Sequence, residues 1–196
     1  MPKKKSIRKS ATNFKDRADT ITAFTGAVAQ GRTSQEVSWV HEYGILRLYR
    51  EFEALMLDAL VGAINNDTTT LANRTGITFP KHLTDEVCEF LIIGNGYFDF
   101  KGRDGLIKTL KDHVPADHYL VTAVKKEKYR ESLEQLSALR NLAAHNSAVS
   151  KARARAAVRR TRMPEAGSWL KKQGRLGRIV DRLKELADEI QGAAPY

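Results

Sequence analysis

The sequence contains one cysteine, Cys88, which excludes an internal disulfide and a multi-cysteine metal site. A reducing compartment is the simpler expectation, and Cys88, set among Val87, Phe90 and Leu91, reads as buried packing rather than as a nucleophile. Apolar runs are short. None approaches the ~20 residues needed to cross a bilayer, and the basic opening MPKKKSIRKS is not followed by the apolar stretch of a signal peptide. A cytoplasmic protein with no membrane partner is therefore expected. His41, His82, His113 and His118 show neither a His-x3-His spacing nor a His/Cys cluster, so neither metal nor cofactor is expected. The glycines between residues 94 and 105 match neither a phosphate loop nor a dinucleotide fingerprint, and no internal repeat or low-complexity tract is visible.

What is present is charge of one sign, placed unevenly. The 196 residues carry a formal net charge of +10, with 42% hydrophobic content set beside 29% charged residues, a balance that suits one globular domain. Residues 1–9 hold Lys3, Lys4, Lys5, Arg8 and Lys9 without an acid, and residues 150–178 hold ten Lys/Arg against Glu165 alone. The middle of the chain is near neutral. The expected organisation is a basic disordered arm over 1–10, a helical domain over 11–147, and a basic helical extension over 148–196 packed on that domain. Lysine and arginine concentrated in this way suit a polyanion, because neutralising phosphate releases condensed counterions. The alternative is a solubilising or frayed flank.

Hydrophobic spacing predicts an all-α fold, an irregular helical bundle. From Ser34 to about Ile64, Val37, Val40, Tyr43 or Ile45, Leu48, Phe52, Leu55, Leu57 and Leu60 fall on one broad face, with Ser34 as the start and Asn65, Asn66 and Asp67 as the stop. TTTLANRTGITFP reads as a loop, and helices are expected over 11–30, 82–91, 104–112 and 116–124. Asn95-Gly96 is a hairpin signal, but a lone two-stranded hairpin is marginal, so a loop between helices is expected there. Glu127 to Ala144 forms a further helix capped at Asn146, followed by a basic helix over 148–162, a break over 163–168, and an amphipathic helix over 176–190. Trp39, Tyr43 and Tyr49 have the type to stack on bases, but their helical spacing places them in the core first.

One constellation has coherent chemistry: LRNLAAHN, residues 139–146. RNA cleavage without metal needs a base for the 2′-hydroxyl proton, an acid for the leaving 5′-oxygen, and positive charge on the phosphorane between them. His145 supplies proton transfer, Arg140 a planar fork of donors for phosphate oxygens, and Asn141 a group to orient either. On a regular helix Arg140 lies about 140° from His145, so one helix presents the pair poorly. Either the helix frays at Ala144 or a symmetric dimer brings a second copy to the same cleft, and the dimer is favoured. A helix C-terminus disfavours a bound phosphate, which Arg140 must offset. Arg-x4-His also arises by chance, with Arg in a surface ion pair and His capping a carbonyl. Glu51 and Glu53 on the long helix are candidates for orienting Arg140, or ordinary solvated glutamates. Lys151, Arg153, Arg155, Arg159, Arg160 and Arg162 are candidates for holding RNA.

RNLAAH late in the chain, preceded by a long helix bearing YREFEALMLDAL, resembles the HEPN superfamily, whose members are helical bundles marked by Arg-x4-6-His. Chain size and the run from Gly96 to Leu142 resemble its standalone prokaryotic branch, often called RiboL-PSP. The similarity covers roughly residues 36–147 and leaves out the basic extension. It implies metal-independent endoribonuclease activity by a homodimer, in a toxin–antitoxin, abortive-infection or other phage-defence setting, with an antitoxin or immunity protein as a further partner. Arg140, Asn141 and His145 match the motif positions. In one subclass a tyrosine two residues after the histidine is modified by the antitoxin; here that position is Ser147, which puts such a modification in doubt. The rival class is a non-catalytic module that binds RNA or a nucleotide, and a DNA-binding regulator is a third, since residues 148–190 loosely mimic a helix-turn-helix.

Overall fold

A computed structural model describes residues 5–80, 82–172 and 174–195. Among the described residues there are ten helices and no strand, so the fold is all-α. The first helix, α1 (Ile7–Ala29), begins at Ser6, whose side chain accepts the Lys9 N–H. It buries Ile7, Ala11, Phe14, Ala18 and Ile21 at intervals of three to four residues. Ordered structure thus reaches into the expected disordered arm. Ile7 is an apolar anchor, the Lys5 ammonium bonds Asp58 at 2.6 Å, the Lys5 N–H donates to Asp85, and the Arg8 guanidinium donates to the Ala194 carbonyl. Residues 1–4 of that arm lie outside the described residues.

The centre of the molecule is α2 (Ser34–Asn66), about 50 Å long at 1.5 Å per residue. Its cap is Thr33 rather than Ser34, because Glu36 stands three residues after Thr33 and the two close a reciprocal capping box. Ile45, Leu48, Phe52, Leu55 and Leu60 are buried as their spacing predicts, whereas Val37 and Val40 are only partly covered and Tyr43 is exposed. Trp39, which its helical spacing places in the core, is instead 58% exposed. The start of α2 therefore projects past the core that encloses its middle.

The stretch expected as a loop contains α3 (Thr69–Thr75), which buries Leu71 and ends at Gly76 in the left-handed conformation. Next come α4 (Asp85–Ile93), capped by Thr84, and a connection through Asn95-Gly96 without strands, then α5 (Gly102–Lys111) and α6 (Tyr119–Lys125). Pro115 lies in the turn before α6. Glu127 starts α7 (Glu127–His145), whose end is fixed by Asn146 at φ 44°.

In the basic segment, α8 (Ala148–Ala157) is five residues shorter than expected. Arg159 adopts φ +52°, and the N–H groups of Arg159 and Arg160 return to the carbonyls of Ala156 and Arg155, the two bonds of a Schellman end. A short α9 (Ala166–Leu170) starts inside the expected break, runs two residues past it and packs on α2. Finally α10 (Arg175–Ala193) lies against α1, α2, α6 and α7, burying Leu176, Ile179, Val180, Leu183, Leu186, Ala187 and Ile190. It belongs to the same core as α1 and α2.

One tie between α7 and α10 has a pH signature. Lys126 and Lys128 approach Glu189 at 2.7 and 2.6 Å. Burial by itself raises the Glu189 carboxyl, but the two ammonium groups beside it outweigh burial and bring the group down to about 2. A carboxyl depressed on folding contributes stability above its unfolded value near 4.5, and that stability is lost as pH falls towards 2. Glu189→Gln is expected to cost about 1–2 kcal/mol at pH 7 after allowance for solvent screening, with the difference shrinking steadily below pH 4.5 in urea melts.

Candidate active site

The middle of α2 packs against α7, and this crossing places Tyr49 and Glu53, one helical turn apart, beside Arg140. The Arg140 guanidinium lies over the Tyr49 ring at 4.5 Å from its centroid. Its Nη1 donates to Asn141 Oδ1 at 2.8 Å. With the described residues it makes no ion pair, so an always-charged fork of donors is held in place with most of its hydrogen-bonding capacity uncommitted.

Tyr49 is itself fixed from the other side. Its ring stacks on Phe100 at 5.1 Å, and its hydroxyl sits 2.8 Å from Asp99 Oδ1 and 3.1 Å from the Phe100 carbonyl. Burial, together with the charges of Glu53 and Asp99, pushes the phenol far up, so the hydroxyl remains a donor. Glu53 is partly buried, and burial raises its carboxyl to about 7 while Asp99 adds to the rise and Arg140 opposes it. Near neutral pH this group changes protonation beside the Arg140 guanidinium.

Sign and window follow from that rise. Above about pH 7 the folded protein holds a carboxylate in a place that disfavours it, and the cost is relieved as pH falls from 7 to 4.5. Glu53→Gln is therefore expected to stabilise the fold at pH 8 by about 1 kcal/mol after solvent screening, and to leave it unchanged at pH 4.5. Equal stabilisation at both pH values in chemical denaturation would show that charge is not the cause.

The two glutamates separate cleanly. Glu51 is buried, but it accepts from Arg17 at 2.6 Å and from Arg47 at 2.7 Å on the side facing α1, so it does not orient Arg140. Two residues apart on a helix means roughly 200° of rotation, and only Glu53 of the pair can face α7.

Asn141 opens onto a cavity of about 600 Å³ between α5, α7 and α8, lined also by Lys101, Arg130 and Arg153, with Asp104 and Glu134 on its wall. Through Asn141, its neighbour in the chain, Arg140 and the stacked Tyr49 cluster adjoin a groove that carries three cations against two carboxylates. His145 stands apart from both. It is exposed at the last turn of α7, and its side chain makes no hydrogen bond or ion pair with the described residues. The helix does not fray at Ala144: it continues through His145 to the left-handed Asn146, whose N–H bonds the Leu142 carbonyl at 3.0 Å.

Of the six basic residues expected to hold RNA, Arg153 lines the Asn141 cavity, while Arg160 and Arg162 line a different cleft beside Trp169. Lys151, Arg155 and Arg159 lie on the surface of α8 or its end, and Lys151 is partly covered. Tyr49 was legible as a core residue with a ring able to stack, but not as the seat of Arg140, and Asp99 was not legible as a site residue. Tyr49 satisfies the core periodicity, and Asp99 sits in a loop whose path no local pattern sets. Among the described residues no three His, Cys, Asp or Glu side chains cluster as a metal site, and no helix is long and apolar enough to cross a membrane. No known protein family, curated protein or solved structure matches this chain.

Proposed function

We propose that the protein is a metal-independent endoribonuclease of HEPN type that works as a homodimer in the cytoplasm, as a toxin or phage-defence effector restrained by an antitoxin or immunity protein. The single observation that carries the reading is the state of Arg140: part-buried, seated on Tyr49, fixed by Asn141, free of any ion pair with the described residues, and next to the groove that Asn141 lines with Lys101, Arg130 and Arg153. Such a guanidinium suits a phosphorane whose charge develops during reaction. The 2′-hydroxyl attacks phosphorus, its proton passes to a base, the bond to the 5′-oxygen breaks, and that oxygen takes a proton. The products are a 2′,3′-cyclic phosphate and a 5′-hydroxyl. His145 performs one of the proton transfers, Arg140 stabilises the phosphorane, and Asn141 positions Arg140.

Because α7 is regular through His145, Arg140 and His145 of one chain diverge, and a second chain is needed to bring an imidazole to the guanidinium. Support for self-association comes from Val87 and Phe90, exposed three residues apart on α4, and from Tyr97, 94% exposed in the loop that carries Asp99. The exposed and unpartnered His145 favours a second reading, a non-catalytic module that binds RNA or a nucleotide. Incubation of the purified protein with RNA in EDTA separates the two. Cleavage leaving cyclic phosphate ends is expected, whereas salt-sensitive binding without turnover selects the binding module.

A further inference from the structure

The second basic cleft lies where the end of α8, α9 and the start of α10 meet, with a volume of about 470 Å³. Arg160, Arg162, Lys171, Lys172 and Arg175 line it, Trp169 and Met163 give it an apolar side, and no acidic side chain among the described residues lines it. Two of these cations are held by neutral groups. The Lys171 ammonium donates to the Ser34 carbonyl at 2.6 Å, Ser34 Oγ at 2.7 Å and Ser38 Oγ at 2.9 Å. The Arg175 guanidinium lies over the Trp169 ring at 4.6 Å and donates to the Trp169 carbonyl at 3.2 Å. Neither contact cancels a charge.

Arg160, Arg162 and Lys172 make no ion pair with the described residues, and their donors point into solvent or the cleft. Burial and the like charges of Arg160 and Arg178 act against the Arg175 cation, as expected where cations crowd without a counterion. Five like charges around one concavity repel each other unless an anion enters, and the volume falls in the range of small-ligand sites, roughly 300–1,000 Å³. A flat guanidinium already stacked on an indole offers a surface on which a further planar ring stacks.

We propose that this cleft is a nucleotide site separate from the Arg140 centre, taking the phosphate of a nucleoside phosphate on Arg160, Arg162 and Lys172 and its base against the Arg175–Trp169 stack. The ligand is either a free nucleotide or the phosphorylated end of a strand. That the strand is RNA rests on the proposed function, whereas affinity for the phosphate-bearing nucleotide does not.

The test uses the full chain carrying Trp39→Phe, so that Trp169 is the only indole, and follows its fluorescence. Adenosine 5′-monophosphate, adenosine, inorganic phosphate and short RNA oligomers with and without a 5′-phosphate are titrated separately. Saturable quenching by the monophosphate is expected, with adenosine and inorganic phosphate each at least tenfold weaker, and with Arg162→Ala and Lys172→Ala each lowering affinity about tenfold. Both replaced side chains are exposed or free of ties to the core, so folding is retained, and circular dichroism checks it. A preference for the 5′-phosphorylated oligomer over its hydroxyl form assigns the strand end, and equal binding of the two with retained monophosphate binding assigns the free nucleotide. No saturable response to the monophosphate, equal affinity for phosphate alone, or unchanged binding by both variants overturns the site. Loss of nuclease activity in His145→Ala bears on the Arg140 centre and leaves this result untouched.

Discussion

Arg140→Ala is expected to lower the rate of RNA cleavage by about 10³-fold, the range found when a preorganised donor to a developing oxyanion is removed. The effect on folding should be smaller. The replacement loses a cation–π contact and leaves Asn141 Oδ1 without its donor, which together amount to about 1–2 kcal/mol. Arg140→Lys is not expected to rescue activity. A lysine keeps the charge but has no plane to lie on Tyr49 while bonding both Asn141 and a phosphate oxygen. His145→Ala should lose about 10²–10⁴-fold, the usual contribution of a positioned acid or base, with little change in stability because the side chain is exposed. Asn141→Ala should give the mildest loss, since it acts on the chemistry through Arg140. Single-turnover rates set beside thermal melts separate these outcomes, and an Arg140→Ala enzyme as fast as the parent would remove the guanidinium from the mechanism.

Gly167→Ala is expected to destabilise the protein by about 3 kcal/mol or more, among the largest effects of any small substitution in the chain. A Cβ on Gly167 would fall on the Ser38 backbone, where α9 crosses α2. Backbone has no rotamer by which to yield, so α9 must lift from α2. With it go the Gly167 N–H bond to Glu42 at 3.2 Å, the Lys171 ties to Ser34 and Ser38, and the burial of Ala166 and Leu170. For a domain of this size the melting temperature should fall by about 6–12 °C. The control is Gly177→Ala, within α10, where an added Cβ meets nothing within 4 Å. Relief of backbone entropy there should stabilise by about 0.5–1 kcal/mol. A normal melt for Gly167→Ala would mean that the α2–α9 crossing is looser than the close approach at Ser38 implies.

Legibility in the sequence followed the strength of local periodicity. The long α2 and the α7 ending at Asn146 were readable because their apolar faces repeat for many turns and their stops are polar residues suited to caps. Thr33 displaced Ser34 as the start of α2 because a capping box depends on a pair of residues, and the partner Glu36 lies three from Thr33. The short helices α3 and α9 were hidden in Thr-, Gly- and Pro-rich stretches whose helicity comes from burying Leu71 on one side and Leu170 on the other. At the site, a glutamate of α2 near Arg140 was within reach, but choosing Glu53 over Glu51 required knowing which face of α2 meets α7. Asp99 reaches Tyr49 by tertiary packing alone. The end of α8 at Ala157 was unreadable because a non-glycine, Arg159, takes the left-handed position of the cap.

In the proposed dimer the guanidinium and the imidazole at one scissile phosphodiester come from two chains. Arg140→Ala and His145→Ala proteins, each inactive, should be unfolded together, refolded as a mixture, and assayed on a defined RNA in EDTA. If each site takes Arg140 from one chain and His145 from the other, a mixed dimer keeps one intact site, and the mixture should regain about a quarter of the parent activity. A mixture that stays as inactive as its components, while the parent cleaves under the same conditions, would contradict the shared site.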